Sequence, residues 1–598
     1  MVVHSASSSF QPRLIKIGVI PLRSSSLALV LPHRTSISWL QNRHNMGQGR
    51  VTHSRCTPSS AAASQQSGRR SANYHPTIWD HQVIESLKNP YTNEVSHGRL
   101  EELKKEVKKL IQSTKDPLVQ LKLIDSIRRL GVAYHFQDEI KESLLQLVHL
   151  ECNHDLYTAA LKFRIFREHG YQISSDVFNE FKNKDGSFMD CLSKEADKGL
   201  LGLYEASYLG MSGEDVLEEA MEFSISRLKS SMMTEQVRQS LEVPLYWRMV
   251  RLEARNFLNI YEEEEEHRKS SSSTLVELAK LDFNIVQSVH QRELHDLSRW
   301  WRDLAFEEEL LFARDRLVEN FLWAVGIIYE PRFSRCRKDL TKLISILTVI
   351  DDIYDVYGSL DELELFTRAV EQWDVKALED LPNYMKSCYL ALFNFGNGIA
   401  YDLQRDHGLS ILPYVKQEWA RLCRAYLVEA KWFHKGYTPG LEEYLANAWI
   451  SVGGPIAMVH AYLLQLEGHN LPNGSLDCLN NGSELVYWSS IITRLTDDLG
   501  TSQAEMERGD VPKSIQCYMK ENGVSEGEAR ERIMGLVRDS WKNLNKCAQS
   551  SGLPRRVVDM ALNMARTSQC IFQHGDGIGT AAGVTKDRVV SLFIEPLP

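Results

Sequence analysis

From Asp80 onward, apolar residues return every three or four positions and no alternating strand pattern is sustained. LEELKKEVKKLIQ (Leu100–Gln112) and LVQLKLIDSIRRLG (Leu118–Gly131) show the pattern, with Gly and Pro recurring between such stretches. The periodicity predicts an all-α chain. A single core stops growing near roughly 250–300 residues, so 598 residues predict two helical domains. The polar run YEEEEEHRKSSSS (Tyr261–Ser273) reads as an exposed connector near their boundary, giving 69–270 and 271–598. It does not read as a metal site, because consecutive Glu residues radiate around a helix whereas ligands converge.

Residues 1–68 are different in kind. They contain no Asp or Glu, and carry seven basic residues from Arg13 to Arg55 with serine clusters at Ser7–Ser9 and Ser24–Ser26. Arg-rich, Ser-rich and acid-free is the composition of an organelle transit peptide, the alternative being a tail of no consequence. Without that segment the net charge moves from −10 to about −17, which argues against nucleic acid as a partner. No run of 18 or more uncharged apolar residues predicts a membrane span. The ten cysteines are scattered with no CxxC pair, as expected of reduced, buried thiols. Nucleotide-binding, serine-hydrolase and zincin motifs are absent.

The chemistry concentrates in two acidic rows. In SILTVIDDIYDVYG (Ser345–Gly358), Ile344, Thr348, Asp351 and Asp355 follow by steps of four, three and four and share one helical face. An apolar stripe thus ends in two carboxylates about one turn apart, roughly 6 Å of rise. Taken alone, DDIYD is equally a solvated helix end. The second row, ITRLTDDLGTSQAE, aligns Tyr487, Ser490, Arg494, Asp497, Thr501 and Glu505. Asp497, Thr501 and Glu505 present three oxygens over about 12 Å. Hard divalent cations take such oxygens, with phosphate completing the shell; a structural ion-pair network has no need of Thr501.

Basic and aromatic residues accompany the rows. Arg314 and Arg316 stand 37 and 35 positions before Asp351. They are either ion-paired with acids such as Glu319 or are guanidinium donors to phosphate. Trp323 follows on the same helix, as core or as a ring face for a cation. Lys513, just beyond Pro512, is placed to reach a phosphate. Gly453-Gly454-Pro455 interrupts a helical stretch, as a turn or as a kink that turns carbonyls towards a pocket.

Together DDIYD, DDLGTSQAE, RDR (Arg314–Arg316) and RRSANYHPTIW (Arg69–Trp79) resemble the plant class I terpene synthases, of the angiosperm monoterpene synthase type. The resemblance covers the chain after residue 68. It implies an N-terminal helical barrel-like domain and a C-terminal helical bundle holding the active site. It implies geranyl diphosphate as substrate and three Mg²⁺ or Mn²⁺ ions held by Asp351, Asp355, Asp497, Thr501 and Glu505. Arg314, Arg316, Asp351, Asp355, Arg494 and Lys513 are then the substrate-binding set. Trp323 stabilises the carbocation, and Arg69 and Arg70 belong to a segment that closes over the pocket and assists isomerisation of the substrate.

Two departures bear on the product. Phe572, in CIFQHGDG (Cys570–Gly577), stands where several relatives have Tyr, so no hydroxyl orients water there. That hydroxyl could equally help remove a proton, so Phe572 leaves proton loss and water capture both open; Ile344 stands where some cineole-forming relatives have Asn, which favours a hydrocarbon. A hemiterpene or sesquiterpene synthase with the same ionisation chemistry is the nearest alternative. A chain-elongating prenyltransferase expects two DDxxD motifs, whereas the second here is DDxxTxxxE. A non-catalytic helical binding protein would have no use for an intact ligand set. The expected assembly is a monomer or a homodimer.

Overall fold

The computed structural model describes residues 69–91, 93–149, 155–189, 194–230, 234–268, 273–465, 483–579 and 582–598. The acid-free stretch 1–68, and with it the targeting expectation, lies outside them. Among the described residues the only β feature is one isolated bridge, Lys182 to Phe188, so the chain is all-α. None of the helices described is long and apolar enough to cross a membrane. The six described cysteines are free and buried, in line with their scattered spacing.

The first half contains α1 (Glu94–Ser113), α2 (Pro117–Arg129), α3 (Leu156–Glu168), α4 (Lys194–Ser207), α5 (Asp215–Ser230) and α6 (Val250–Arg268). Their starts are chemically marked: Asn93, Asp116 and Asp155 each accept a backbone N–H in the first turn, and Pro117 opens α2. Helix α3 is buried on every side from Thr158 to Glu168 and is the centre of this half. Its buried charges are paired, Arg164 with Asp125 and Arg167 with Glu214. The polar run expected as a connector is mostly helix. Helix α6 continues through it to Arg268 and the next begins at Ser273, because Glu, Lys and Arg are good helix formers even without a core face.

The second half contains α7 (Ser273–Asp303), α8 (Leu317–Ile327), α9 (Ser334–Asp352), α10 (Leu360–Gln372), α11 (Leu412–His434), α12 (Leu441–Ser451), α13 (Gly454–Leu463), α14 (Glu484–Arg508), α15 (Ser514–Asn522), α16 (Glu526–Ser550) and α17 (Arg555–Phe572). Helix α14 lies against α16 and α17, and α9 against α8 and α13. The halves share one hydrophobic core. Trp247 stacks on Trp541 with ring centroids 5.2 Å apart, and the Asn545 amide donates to the carbonyls of Tyr208 and Gly210.

Two local features shape the site. Helix α9 ends at Asp352 and widens into a π turn, Ile353–Tyr357, closed by the Gly358 N–H on the Ile353 carbonyl at 2.8 Å. Gly358 sits at φ −74°, so its role is close approach: a Cβ would stand 2.6 Å from the Leu363 side chain. The glycine pair Gly453-Gly454 makes a break between two helices, and Gly453 takes φ +76° while passing Leu347 closely.

The C-terminal residues thread back across α7. Asn284, Gln287 and Gln291, at steps of three and four on that helix, bond the main chain of Leu597, Leu592, Glu595 and Phe593. Arg255 of α6 donates to the carbonyls of Ser591 and Glu595.

Candidate active site

Between α8, α9, α11, α14 and α17 lies a cavity of about 150 Å³, open at its mouth. Its floor is apolar: Trp323 and Ile327 from α8, Ile344 and Leu347 from α9, Met564 and Phe572 from α17. The Trp323 and Phe572 ring centroids are 6.2 Å apart. Its mouth is acidic, with Asp351 and Asp355 on one wall and Asp497, Thr501 and Glu505 on the other. The two helical faces read from the sequence therefore meet across one opening.

In each DD pair the two aspartates do different work. Asp351 and Asp497 face the cavity, whereas Asp352 and Asp498 are fully buried anchors. Asp352 takes the backbone N–H of Arg314 at 2.7 Å and its Nε, which fixes the loop before α8. Asp498 accepts from the Tyr444 hydroxyl, Arg494 and the Ser514 N–H, tying α14 to α12 and α15.

The basic residues are set by these anchors. Arg314, held by Asp352, reaches Asp351 at 2.6 Å. Arg494 donates to Asp497 at 3.0 Å and to the Ala448 carbonyl beside the helix break. Lys513 is buried, its Nζ 3.8 Å from Asp355 and 3.9 Å from Glu429, close enough for attraction and free to turn. Arg316 departs from expectation. It is buried outside the cavity, donating to the carbonyls of Asp315, Ile578, Gly579 and His75. Its guanidinium is taken up by these backbone carbonyls.

Arg69 and Arg70 do not line the cavity; they dock across its rim. Arg69 forks onto Glu362 at 2.8 Å and donates to the Tyr357 carbonyl. Arg70 donates to the Asp355 carbonyl, the Gly509 carbonyl and Asp510, and so spans both walls. The π turn makes this possible, because it leaves the carbonyls of 355 and 357 for side-chain donors. At the far end of the strap the Trp79 indole N–H donates to Glu319 at 3.1 Å.

Burial pushes Glu319 up to about 7, against the opposing pull of Arg316 and Trp79. Because the native state holds that proton more tightly than the unfolded chain, stability falls as pH rises from about 4.5 to 7 and is flat above. Glu319→Gln keeps the acceptor for Trp79 without the charge. It should come close to the parent near pH 5 and gain about 3 kcal/mol by pH 8 in thermal melts; equal melting at both pH values would refute the charge argument.

Among the polar cavity residues outside the two acidic rows are Tyr426 and Glu429 on α11, Ser451 at the helix break and Arg508 at the end of α14. Glu429 had a signal. It ends the buried stripe Val415, Trp419, Leu422, Tyr426, Glu429, where a carboxylate on a core face needs a partner. It accepts from Asn447 and Ser451.

The donor set fits hard divalent cations. Burial raises Asp355, Asp497 and Glu505 above the ordinary carboxylate range, with neighbouring carboxylates adding to it, against the fields of Lys513 and Arg494. Glu505 Oε2 is buried with no hydrogen-bond partner. Thr501 donates its proton to the Asp497 carbonyl at 3.0 Å, leaving its oxygen lone pairs for a ligand. Among the described residues no three acids already converge on one point, so ligand oxygens must complete any shell.

The chain matches two family models, "Terpene synthase, N-terminal domain" over residues 78–246 and "Terpene synthase family, metal binding domain" over 302–543. The chain belongs to the terpene synthase family. Among curated terpene synthases it is 59% identical over 541 residues to trans-ocimene synthase of Litsea cubeba, covering 89% of this chain and 92% of that one. A crystal structure of limonene synthase with 2-fluorolinalyl diphosphate superposes with a TM-score of 0.84 at 39% identity, covering 89% of this chain and all of that one. Isoprene synthase from grey poplar, in complex with three Mg²⁺ ions and dimethylallyl-S-thiolodiphosphate, gives 0.79 at 41% identity over 87% of this chain and 99% of that one. All are similar to this terpene synthase over both helical halves.

Proposed function

We propose that this terpene synthase ionises geranyl diphosphate in a plastid and releases a ten-carbon hydrocarbon and diphosphate. The observation that carries the reading is two oxygen-bearing rows facing one another, with Arg314, Arg494 and Lys513 beside them, over a floor of Trp323, Ile327, Ile344, Leu347, Met564 and Phe572. Asp351 and Asp355 with Asp497, Thr501 and Glu505 would hold three Mg²⁺ or Mn²⁺ ions, the number in the poplar enzyme. Bound ions supply Lewis acidity to the leaving diphosphate. Arg314, Arg494 and Lys513 add fixed positive charge where the leaving group gains negative charge. Trp323 and Phe572 offer ring faces to the hydrocarbon cation. Residues 69–270 are taken as the supporting domain, with the strap at its start, and 271–598 as the catalytic one.

Proton loss is favoured over capture of water. Along the floor, Thr348 donates to the Ile344 carbonyl, Thr493 to the Ser489 carbonyl, and Asn320 to Ser345 and Thr348. The protons of these groups are spent within the protein and Ile344 and Phe572 add none, while the hydroxyl oxygens, and the Tyr426 hydroxyl with no hydrogen-bond partner among the described residues, remain on the cavity wall. The similarity to trans-ocimene synthase supports an acyclic hydrocarbon, and the plastid assignment rests on that relative's chloroplastic name together with the acid-free leader.

The test is direct. The chain beginning at Arg69 is incubated with dimethylallyl, geranyl and farnesyl diphosphates, with and without Mg²⁺, and volatiles are identified by gas chromatography. Mg²⁺-dependent ten-carbon hydrocarbon from geranyl diphosphate is expected; five- or fifteen-carbon product alone would reassign the substrate. A chain starting after Arg70 should lose at least tenfold on geranyl diphosphate and much less on linalyl diphosphate, which needs no isomerisation. Equal loss on both would mark the arginines as structural only.

A further inference from the structure

One ring of the strap meets lining residues of both cavity walls. Residues 69–79 carry no regular secondary structure and are pinned by Arg69, Arg70 and Trp79, with the His75 carbonyl bonded to Arg316. Between these pins Asn73 takes φ +49°, a left-handed turn that Asn tolerates, supported by its N–H on the Ser71 hydroxyl. The next residue is Tyr74. The Arg314 guanidinium stands 4.9 Å from its ring centroid and that of Arg508 5.7 Å. Arg314 comes from the wall of the first acidic row and Arg508 from the end of the second, and both line the cavity. One aromatic ring thus joins the two walls.

A guanidinium that stacks on a ring uses its face and keeps its in-plane N–H donors. Arg314 uses those donors on Asp351 and Asp352, and Arg508 donates from Nε to Asp510. Two like charges held across the mouth repel one another; the electron-rich ring between them offsets that repulsion. Burial also holds the Tyr74 hydroxyl protonated, well above its ordinary range, so the ring brings no further charge.

We propose that Tyr74 is a positioning residue: its ring holds Arg314 and Arg508 by their faces, aims their edges at the diphosphate, and shuts the mouth to water. This rests on the diphosphate reading above. Loss of the ring releases both arginines at once and opens a path for water to the cation, so it changes what is made as well as how fast.

The experiment uses the chain beginning at Arg69 and its variants Tyr74→Phe, Tyr74→Leu and Tyr74→Ala. Two quantities are read: calorimetric affinity for inorganic diphosphate with Mg²⁺, and the ratio of terpene alcohol to hydrocarbon from geranyl diphosphate. Tyr74→Ala is expected to weaken diphosphate binding about tenfold and to raise the alcohol fraction several-fold. Tyr74→Leu, which fills space without a ring quadrupole, should bind as weakly as Ala, and keeps the test open if Ala melts early. Tyr74→Phe should rescue both readouts. Parent-like binding and an unchanged ratio in Leu and Ala, with the parent active, would overturn the role of Tyr74 alone. Failure of Phe to rescue would overturn the ring argument. A parent that turns over no allylic diphosphate would overturn the function on which the proposal stands.

Discussion

Asp351→Ala should lower Mg²⁺-dependent turnover by at least about a thousandfold while leaving helical content and melting temperature close to the parent. The side chain stands at the cavity mouth and its one protein partner is Arg314. Arg314 stays in place without it, because Asp352 holds both its backbone N–H and its Nε. The loss therefore falls on chemistry. The adjacent Asp352→Ala should do the reverse, since a fully buried carboxylate is removed from beneath a buried guanidinium. Breaking such a pair costs about 3–5 kcal/mol, visible as a large drop in melting temperature before any assay. Near-parent turnover by Asp351→Ala at saturating Mg²⁺ would remove the first row from the mechanism, and a silent, stable Asp352→Ala would make the two aspartates equivalent.

Deleting residues 591–598 should prevent folding. Leu592, Phe593 and Leu597 are buried, and burying such side chains contributes about 1.5–3 kcal/mol each. The deletion also strips the main-chain partners from Asn284, Gln287 and Gln291, all three buried on α7. Each amide left unsatisfied costs about 1–3 kcal/mol. Together these losses rival the whole stability of an ordinary protein, about 5–15 kcal/mol. Expression of the shortened chain should give insoluble material, or soluble material without a cooperative melt. A cooperative melt within a few degrees of the parent would show that the tail is ornament.

The parts of the site legible in the sequence are those that repeat along one helix. Ile344, Thr348, Asp351 and Asp355, and then Arg494, Asp497, Thr501 and Glu505, reveal themselves by steps of three and four, and both faces line the cavity. Trp323 and Lys513 were reachable by proximity to those rows. Arg316 misled because two arginines in one short motif look alike until the fold sends one to phosphate distance and the other to backbone carbonyls. Tyr426 was invisible, a single residue whose surroundings come from other helices; Arg508 extends the second row by one step of three beyond Glu505, but its partners Asp510 and Tyr74 show only in the fold. The π turn was equally hidden. Ile353–Tyr357 has the composition of ordinary helix, and its widening shows only in the bond from Gly358 back to Ile353. At Tyr261–Ser273 the high helix propensity of Glu, Arg and Lys carried the helix on through a run whose polarity reads as a loop.

The strap is synthesised before everything it touches. Arg70 lies 440 residues ahead of Asp510, its partner on the second wall. At about 5–20 residues per second, roughly 20–90 s pass between making the arginine and making its acceptor. Trp79 and Arg69 gain Glu319 and Glu362 earlier, but Arg70 has no partner on the second wall until the chain reaches Gly509 and Asp510. Closing the mouth is therefore a late event in the life of each new molecule, and a cavity meant to exclude water spends its first minute open to it.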